Sequence, residues 1–496
     1  MLLSHDLGTT GDKAALYRDD GSFVAAATVS YPARFAEGGV AEQDPQDWWK
    51  ATVEATRTVL QRADVPAEEV RAVSFSGQMM GAVLVDGQGE PVRPAIIWAD
   101  TRSQPQCAEL LRRIPMGDAY AITGHRLNPT YSLTKLMWVR DEEPEVWRRV
   151  RLALQAKDYV AFRLTGRPVT DPSDASSSNA YDQRRGDWSE ELLEAAGIAR
   201  ETMPEIVPST EVIGEVSAEA AAACGLRAGM PVVIGGGDGP CAATGAGVVS
   251  PSSGAYVYLG SSSWVSLAAQ EPLLDPLKRT MTFNHVVPGL FVPTATMQAG
   301  GASFDWIADV VAPEEGSERY GRLEGLAAEV DPLAEGLLFL PYLLGERSPY
   351  WNPRARGVFL GLARHHTSAH LVRAVLEGVA FNLLVGLRAF EEQGGRIDEV
   401  DAIGGGARSD LWLQILADVW GITVRRRSLV EEANALGAAV VAGVGVGAMS
   451  GFDVAPALSD VEAVFEPDPE RHAVAQPHYA RFLEAYKRLE PLFETA

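Results

Sequence analysis

The sequence predicts an α/β protein built as two related halves around a shared cleft. Three observations carry this. The chain has 496 residues, 46% of them hydrophobic, more than one core uses, since single cores stop growing at about 250 to 300 residues. Apolar runs end in glycine loops three times: Val70 to Phe75 before Ser76-Gly77-Gln78-Met79-Met80-Gly81, Pro231 to Ile234 before Gly235-Gly236-Gly237-Asp238-Gly239, and Val400 to Ile403 before Gly404-Gly405-Gly406-Ala407-Arg408-Ser409. Ligands of α/β sheets sit beyond such strand ends. Finally, Leu7-Gly8-Thr9-Thr10 is echoed by Leu259-Gly260-Ser261-Ser262, each loop lying between two apolar runs. A boundary in the Gly/Pro/Ser-rich stretch around 245–255 divides the chain into residues 1–248 and 249–496.

In chain order, a short strand ends at Asp6-Leu7 and a tight loop, Gly8 to Gly11, leads to a second strand through Ala14 to Tyr17. Asp19-Asp20-Gly21 is a turn signal before a third run from Phe23 to Val29. Asp44-Pro45 reads as the N-cap and first position of a helix carrying Trp48, Trp49, Val53 and Val59 inward. Ala435 to Phe452 is 18 residues without a charge, but its five glycines make poor membrane partners and it reads as a buried helix running into a loop.

Composition excludes several functions. Lys plus Arg number 43 against 66 Asp plus Glu, a net charge of −23 that opposes binding to nucleic acid or an anionic membrane. Cys107, Cys224 and Cys241 are odd in number and far apart, so free thiols and a cytoplasmic location are expected. The histidines show no metal-ligand spacing, and neither GxxxxGK[ST], an early GxGxxG nor GxSxG occurs.

A nucleotide would then need another cradle. Successive backbone N–H groups in a Gly/Thr/Ser turn bind anions without net positive charge. Gly8 to Gly11 offers one such turn, with Thr9 and Thr10 hydroxyls, and Gly260, Ser261 and Ser262 offer the second. Lys13 is either a point charge for phosphates or a solvated strand lysine. Asp6 at its strand end can hold Mg²⁺ or cap its own turn. Asp238, flanked by glycines, is suited to accept a hydroxyl proton during phosphoryl transfer, with a turn-stabilising role as the alternative.

Together these loops resemble the FGGY carbohydrate kinase family. The resemblance adds Gly357-Val358-Phe359-Leu360-Gly361-Leu362 through Glu377, Glu42-Gln43-Asp44-Pro45 with Trp48-Trp49, Ile97-Trp98-Ala99-Asp100 with Arg102, Lys135-Leu136-Met137-Trp138, Gly345-Glu346-Arg347-Ser348-Pro349 and Ala435-Leu436-Gly437-Ala438-Ala439. It implies two actin-like, ribonuclease H-like domains closing on ATP and a small sugar, D-xylulose first, with another ketose or a polyol as the alternative. It also admits a homodimer. Site residues implied by position are Asp238 as general base and Asp6 at Mg²⁺. Around the nucleotide fall Thr9, Thr10, Lys13, Gly260, Ser261, Gly301, Gly405, Gly406, Ala407 and Asp410. Around the sugar fall Gln78, Met79, Met80, Trp98, Asp100, Asp238 and Gly239. Met80 stands where the family's xylulose-phosphorylating members carry His, and Gly239 where they carry Asn, so the sugar pocket is expected to differ. A non-catalytic nucleotide or sugar sensor on the same fold would lack a base or a phosphate loop, and here all are present.

Overall fold

The computed structural model describes residues 1–313, 316, 318–428 and 432–494. Two sheets dominate it, and both are built on one scheme. In the first, β1 (Leu2–Leu7), β2 (Gly11–Tyr17) and β3 (Phe23–Ser30) form an antiparallel meander, and β4 (Ala72–Gly77) lies parallel to β1 on its other side. β5 (Val212–Glu215) and β6 (Pro231–Val233) complete the order β5-β6-β4-β1-β2-β3. The second sheet contains β7 (Ala255–Leu259), β8 (Ser263–Leu267), β9 (Met281–Asn284), β10 (Phe291–Met297), β11 (Glu399–Ile403), β12 (Thr423–Arg427) and β13 (Val461–Phe465), in the order β9-β10-β8-β7-β11-β12-β13. β7 repeats β1: an antiparallel neighbour on one side, a parallel one on the other. The Leu-Gly-Thr/Ser echo marks the same hairpin in each sheet.

β1 and β4 are covered on both faces, so most of their positions are apolar. Of the polar exceptions, Ser74 Oγ is buried without a partner, while His5 is paired. His5 Nδ1 lies 2.8 Å from Asp12 Oδ2, and its ring stacks on Phe75.

α1 (Pro45–Ala63) is capped by Asp44, whose side chain accepts from Gln46 N, and it buries Trp48, Ala51, Ala55 and Val59 under the first sheet. α2 (Asp238–Gly245) follows β6, α3 (Gly301–Val311) follows β10, and α4 (Ser368–Glu392) runs through the second core with Val372 to Leu387 buried. α4 is long and apolar enough to cross a membrane, and its inner turns are covered by protein.

α5 (Ala433–Gly445) is the buried helix expected of the uncharged stretch. It modifies the division at 248/249. Leu436, Ala439 and Val440 share a core with Leu2, Ala15, Tyr17 and Ala72 of the first sheet. A helix from the second half therefore covers the first. α2 and α5 approach closely because a Cβ at Gly245 would collide with Ala433 O, and one at Gly437 with Cys241 O. All three cysteines are buried and free.

Candidate functional site

The loop Gly8 to Gly11 is a closed turn held from outside. Gly8 N donates to Gly11 O at 3.0 Å, and Gly11 cannot carry a Cβ because Val29 O would lie 2.7 Å from it. Tyr31 OH donates to Gly8 O at 2.5 Å, Gln43 Nε2 to Thr9 O at 2.7 Å, and Trp98 Nε1 to Thr9 Oγ1 at 2.9 Å. Gln78 Nε2 donates to Gly8 O at 3.3 Å and to Gln43 Oε1 at 2.8 Å, while Gln78 Oε1 is buried without a protein partner. Gln78 and Trp98, expected at the sugar, thus fasten the Gly8 to Gly11 loop. Thr10 is exposed beyond it, with Thr9 and Lys13 half-buried.

The second loop is fastened to α3. Gly260 N donates to Ser262 O at 3.2 Å, Gly301 N to Gly260 O at 2.7 Å, and Ala302 N to Ser261 O at 3.1 Å. A Cβ on Gly301 would stand 2.6 Å from Gly260 O, so this position needs glycine. Ser261 itself is exposed. In the third loop, Gly405 faces open space and Gly406 packs on Leu259 and Trp412. The Ala407 side chain is fully buried in the second core, so only its backbone is left for a ligand. Asp410 pairs with Arg426 at 2.6 Å on the rim of an open cavity of about 600 Å³ that Glu324, Arg408 and Ser428 also line.

Asp238 opens α2 and accepts from Gly239 N at 2.7 Å. The glycines before it do more than clear space. Gly235 has φ 75° with Phe75 backbone against it, Gly236 makes room for Val286 and Ser173, and Gly237 makes room for Met79. Asp238 keeps some surface at the cleft, yet protein surrounds it closely enough that desolvation, with the nearby Asp6 charge, pushes its carboxyl up to about 7. Asp6 is raised as well, chiefly by burial. Ser76 Oγ donates to Asp6 Oδ1 at 2.8 Å, and Asn434 of α5 donates to the same oxygen at 3.4 Å. Two carboxylates of raised proton affinity thus lie near each other, Asp6 at the end of β1 and Asp238 at the start of α2, with β4 between their strands. Such a pair offers a base that changes state near neutral pH.

On the acceptor side, Met79 packs on Gly237 and Met80 is strained. Its φ is 64°, a region a side chain as bulky as methionine rarely takes. Both its backbone groups are pinned: N donates to Ser177 Oγ at 3.2 Å, and O accepts from Lys135 Nζ at 2.7 Å. Lys135 is wholly buried and also donates to Ile97 O at 2.8 Å and Thr130 O at 2.5 Å. Arg347 Nη2 lies 3.8 Å from both Met80 Sδ and Met281 Sδ, with its Nε buried and unpartnered. Neither Lys135 nor Arg347 was assigned a role from sequence, and their only signal was membership in the matching motifs. Asp100 is fully buried, and its carboxylate takes Ala41 N at 2.6 Å and the Arg102 guanidinium through both oxygens, so it braces the wall of the candidate site. At Gly239 an added Cβ would meet nothing nearer than Met79 Sδ at 4.0 Å.

The N-terminal domain of the FGGY family of carbohydrate kinases matches residues 1–245, and its C-terminal domain matches residues 255–446. Xylulose kinase of Escherichia coli (strain K12) is 36% identical over 493 residues, 99% of this chain and 100% of that protein. The crystal structure of xylulose kinase from Rhodospirillum rubrum superposes with a TM-score of 0.92 at 32% identity, covering 99% of each chain. Ligand-bound xylulose kinase from Lactobacillus acidophilus gives 0.93 at 26% identity, covering 100% of this chain and 99% of that one.

Proposed function

Because the chain belongs to the FGGY family of carbohydrate kinases and is an ATP-dependent sugar kinase, we propose that its acceptor is D-xylulose, phosphorylated at its terminal hydroxyl with Asp238 as general base. The observation that carries the base assignment is the position of Asp238, alone on a glycine platform beside Asp6, with its carboxyl pushed up to about 7.

In this reading the turns at Gly8 to Gly11 and Gly260 to Ser262 hold the ATP phosphates through backbone N–H groups and the hydroxyls of Thr9, Thr10 and Ser261. The acceptor oxygen attacks the γ-phosphorus in line, its proton passes to Asp238, the new O–P bond forms, and the bond to the bridging oxygen breaks to release ADP. Closure of the two domains keeps water from taking the phosphate. Asp6 suits a hard divalent cation: its carboxylate lies at the strand end beside the phosphate loop, and both side-chain donors to it fall on a single oxygen. Mg²⁺ held there, directly or through water, would neutralise phosphate charge. Free buried thiols and the use of ATP fit a cytoplasmic enzyme.

A second acceptor is favoured by one specific feature. Met80 and Gly239 bring no hydrogen-bonding side chain to the pocket, and a polar pocket that loses such partners loses discrimination by orders of magnitude. Another ketose or a polyol would then be preferred. Coupled ADP release with Mg-ATP against D-xylulose, D-ribulose, L-ribulose, L-xylulose, glycerol and erythritol decides between them. The expected result is the highest kcat/KM with D-xylulose; a higher value with another acceptor overturns the assignment.

A further inference from the structure

The base stands at the end of a run that has no side chains to fix its own backbone. Gly235, Gly236 and Gly237 each have wide conformational freedom, and Gly237, the N-cap of α2, has no side chain to cap the helix. The run is pegged from a different part of the chain. Gly237 N donates to Ser173 Oγ at 2.9 Å. The Ser173 hydroxyl spends its only proton on Asp171 Oδ2 at 2.6 Å, which turns an oxygen lone pair toward Gly237. Asp171 is in turn held by Ser209 Oγ at 2.7 Å and Lys157 Nζ at 3.0 Å. Lys157 also pairs with Asp158 at 2.6 Å and Asp174 at 3.1 Å. Lys157, Asp158, Asp171, Ser173 and Asp174 have no exposed surface. A buried group of one lysine and three carboxylates is costly to assemble, and a well-packed apolar core would stabilise the fold as well. What this one adds is a fixed acceptor one residue before Asp238. The fit is reciprocal, because a Cβ at Gly236 would come within 2.9 Å of Ser173 Oγ.

We propose that Ser173 is a positioning residue for the phosphoryl-transfer step, holding the Gly237 amide so that the Asp238 carboxylate stays aimed at the acceptor hydroxyl, with Asp171 and Lys157 fixing the direction of the serine hydroxyl. This rests on Asp238 being the base. Neither phosphate loop touches Ser173, so its loss acts on the base while leaving nucleotide binding alone. Besides burial, the groups that set the proton affinity of Asp238 are Asp6, the Gly239 amide and its own backbone amide; Tyr256 OH stands behind them, donating to Gly239 O at 3.0 Å. If the Gly237 peptide turns, the bond from Gly239 N to the carboxylate is the first of these to change.

The test is steady-state kinetics of Ser173→Ala between pH 5.5 and 9, beside wild type and Asp238→Asn, using the best acceptor of the panel above. Misplacing a catalytic group by about 1 Å costs about a hundredfold, so kcat is expected to fall by about tenfold to a hundredfold. The KM for ATP should stay within about twofold, and the acid limb of kcat/KM should move to higher pH. A merely structural role would lower the yield of active enzyme and leave the limb in place. An unchanged kcat and an unmoved limb in Ser173→Ala overturn the proposal when Asp238→Asn is inactive; an active Asp238→Asn overturns the base assignment itself. If Ser173→Ala is recovered only as aggregate, Asp171→Asn, which keeps the side-chain volume, is read the same way: a lower kcat and a shifted limb support the proposal, and wild-type values overturn it.

Discussion

Replacing Asp238 by Asn tests catalysis and stability at once, because the two respond in opposite directions. A positioned base contributes about 10²- to 10⁴-fold in rate, so Asp238→Asn should reduce kcat by at least about a hundredfold while the KM for ATP changes little. The stability side follows from the raised carboxyl, about 7 in the folded protein against 3.8 as the ordinary value. A group whose folded pKa is raised holds its proton more tightly in the folded state, so ionising it destabilises the fold. The cost is nil below about pH 3.8, grows through the interval, and levels off above about 7. At about 1.4 kcal/mol per pH unit, the plateau is about 4 kcal/mol and the value at pH 5 is less than half of it. Asparagine carries no charge and escapes this cost. Unfolding entropy of about 2.1 cal/mol/K per residue, over a chain of this length melting as one unit, converts the plateau to a gain of about 4 °C in Tm at pH 8 and less than half of that at pH 5. Thermal melts at the two pH values and coupled ADP release make the measurement. Turnover within tenfold of wild type refutes the base assignment. An equal Tm change at both pH values refutes the buried-carboxylate argument.

In wild type the same group sets the acid limb, so kcat/KM should rise with pH and level off above about 7, as a pH–rate profile on the best acceptor will show. Gly301→Ala places a Cβ 2.6 Å from Gly260 O; overpacking of about 1–3 kcal/mol should raise the KM for ATP about tenfold or more and leave the acceptor KM within about twofold. Met80→His with Gly239→Asn should raise kcat/KM for D-xylulose about tenfold or more if the missing polar partners limit it. No change on that acceptor counts against the explanation. Lys135→Met strips three buried carbonyls of their donor, and at about 1–3 kcal/mol each the loss is comparable with the whole stability of a domain; expression in the insoluble fraction, or a large fall in Tm, is the expected outcome.

Much of the fold was legible because it obeys local rules. Strands covered on both faces read as apolar runs, Asp44-Pro45 announced α1, and the repeated Leu-Gly-Thr/Ser hairpin announced two sheets of one design. What escaped was long-range. Nothing local in Ala433–Gly445 says that it covers the first sheet, since an all-apolar helix is content against either core. In the candidate site, residue types single out loops but not the targets of their side chains. Asp100 and Gln78 look alike as polar residues at a strand end, yet one is consumed by Arg102 and the other bonds the phosphate loop. Lys157 and its three aspartates lie in sequence stretches with no distinguishing pattern, and only the fold brings them under the base.

The glycines around Asp238 do more in the structure than their residue type alone implies. Read from sequence, they clear side chains away and leave one carboxylate standing in a cleft. In the structure three of the four are occupied sites in negative, each shaped by a particular neighbour: Phe75 backbone at Gly235, Val286 and Ser173 at Gly236, Met79 at Gly237. Val286 comes from the second half of the chain, and Met79 precedes the strained Met80 whose carbonyl Lys135 holds. Asp238 therefore stands on backbone that both halves and the Met79–Met80 loop press into place. A carboxylate so held needs little reorganisation when the hydroxyl arrives, which is where preorganised sites gain most of their rate. The same packing explains why Gly239 differs from the other three: nothing approaches it, so it is the one glycine of the run that a side chain reaching toward the acceptor can replace.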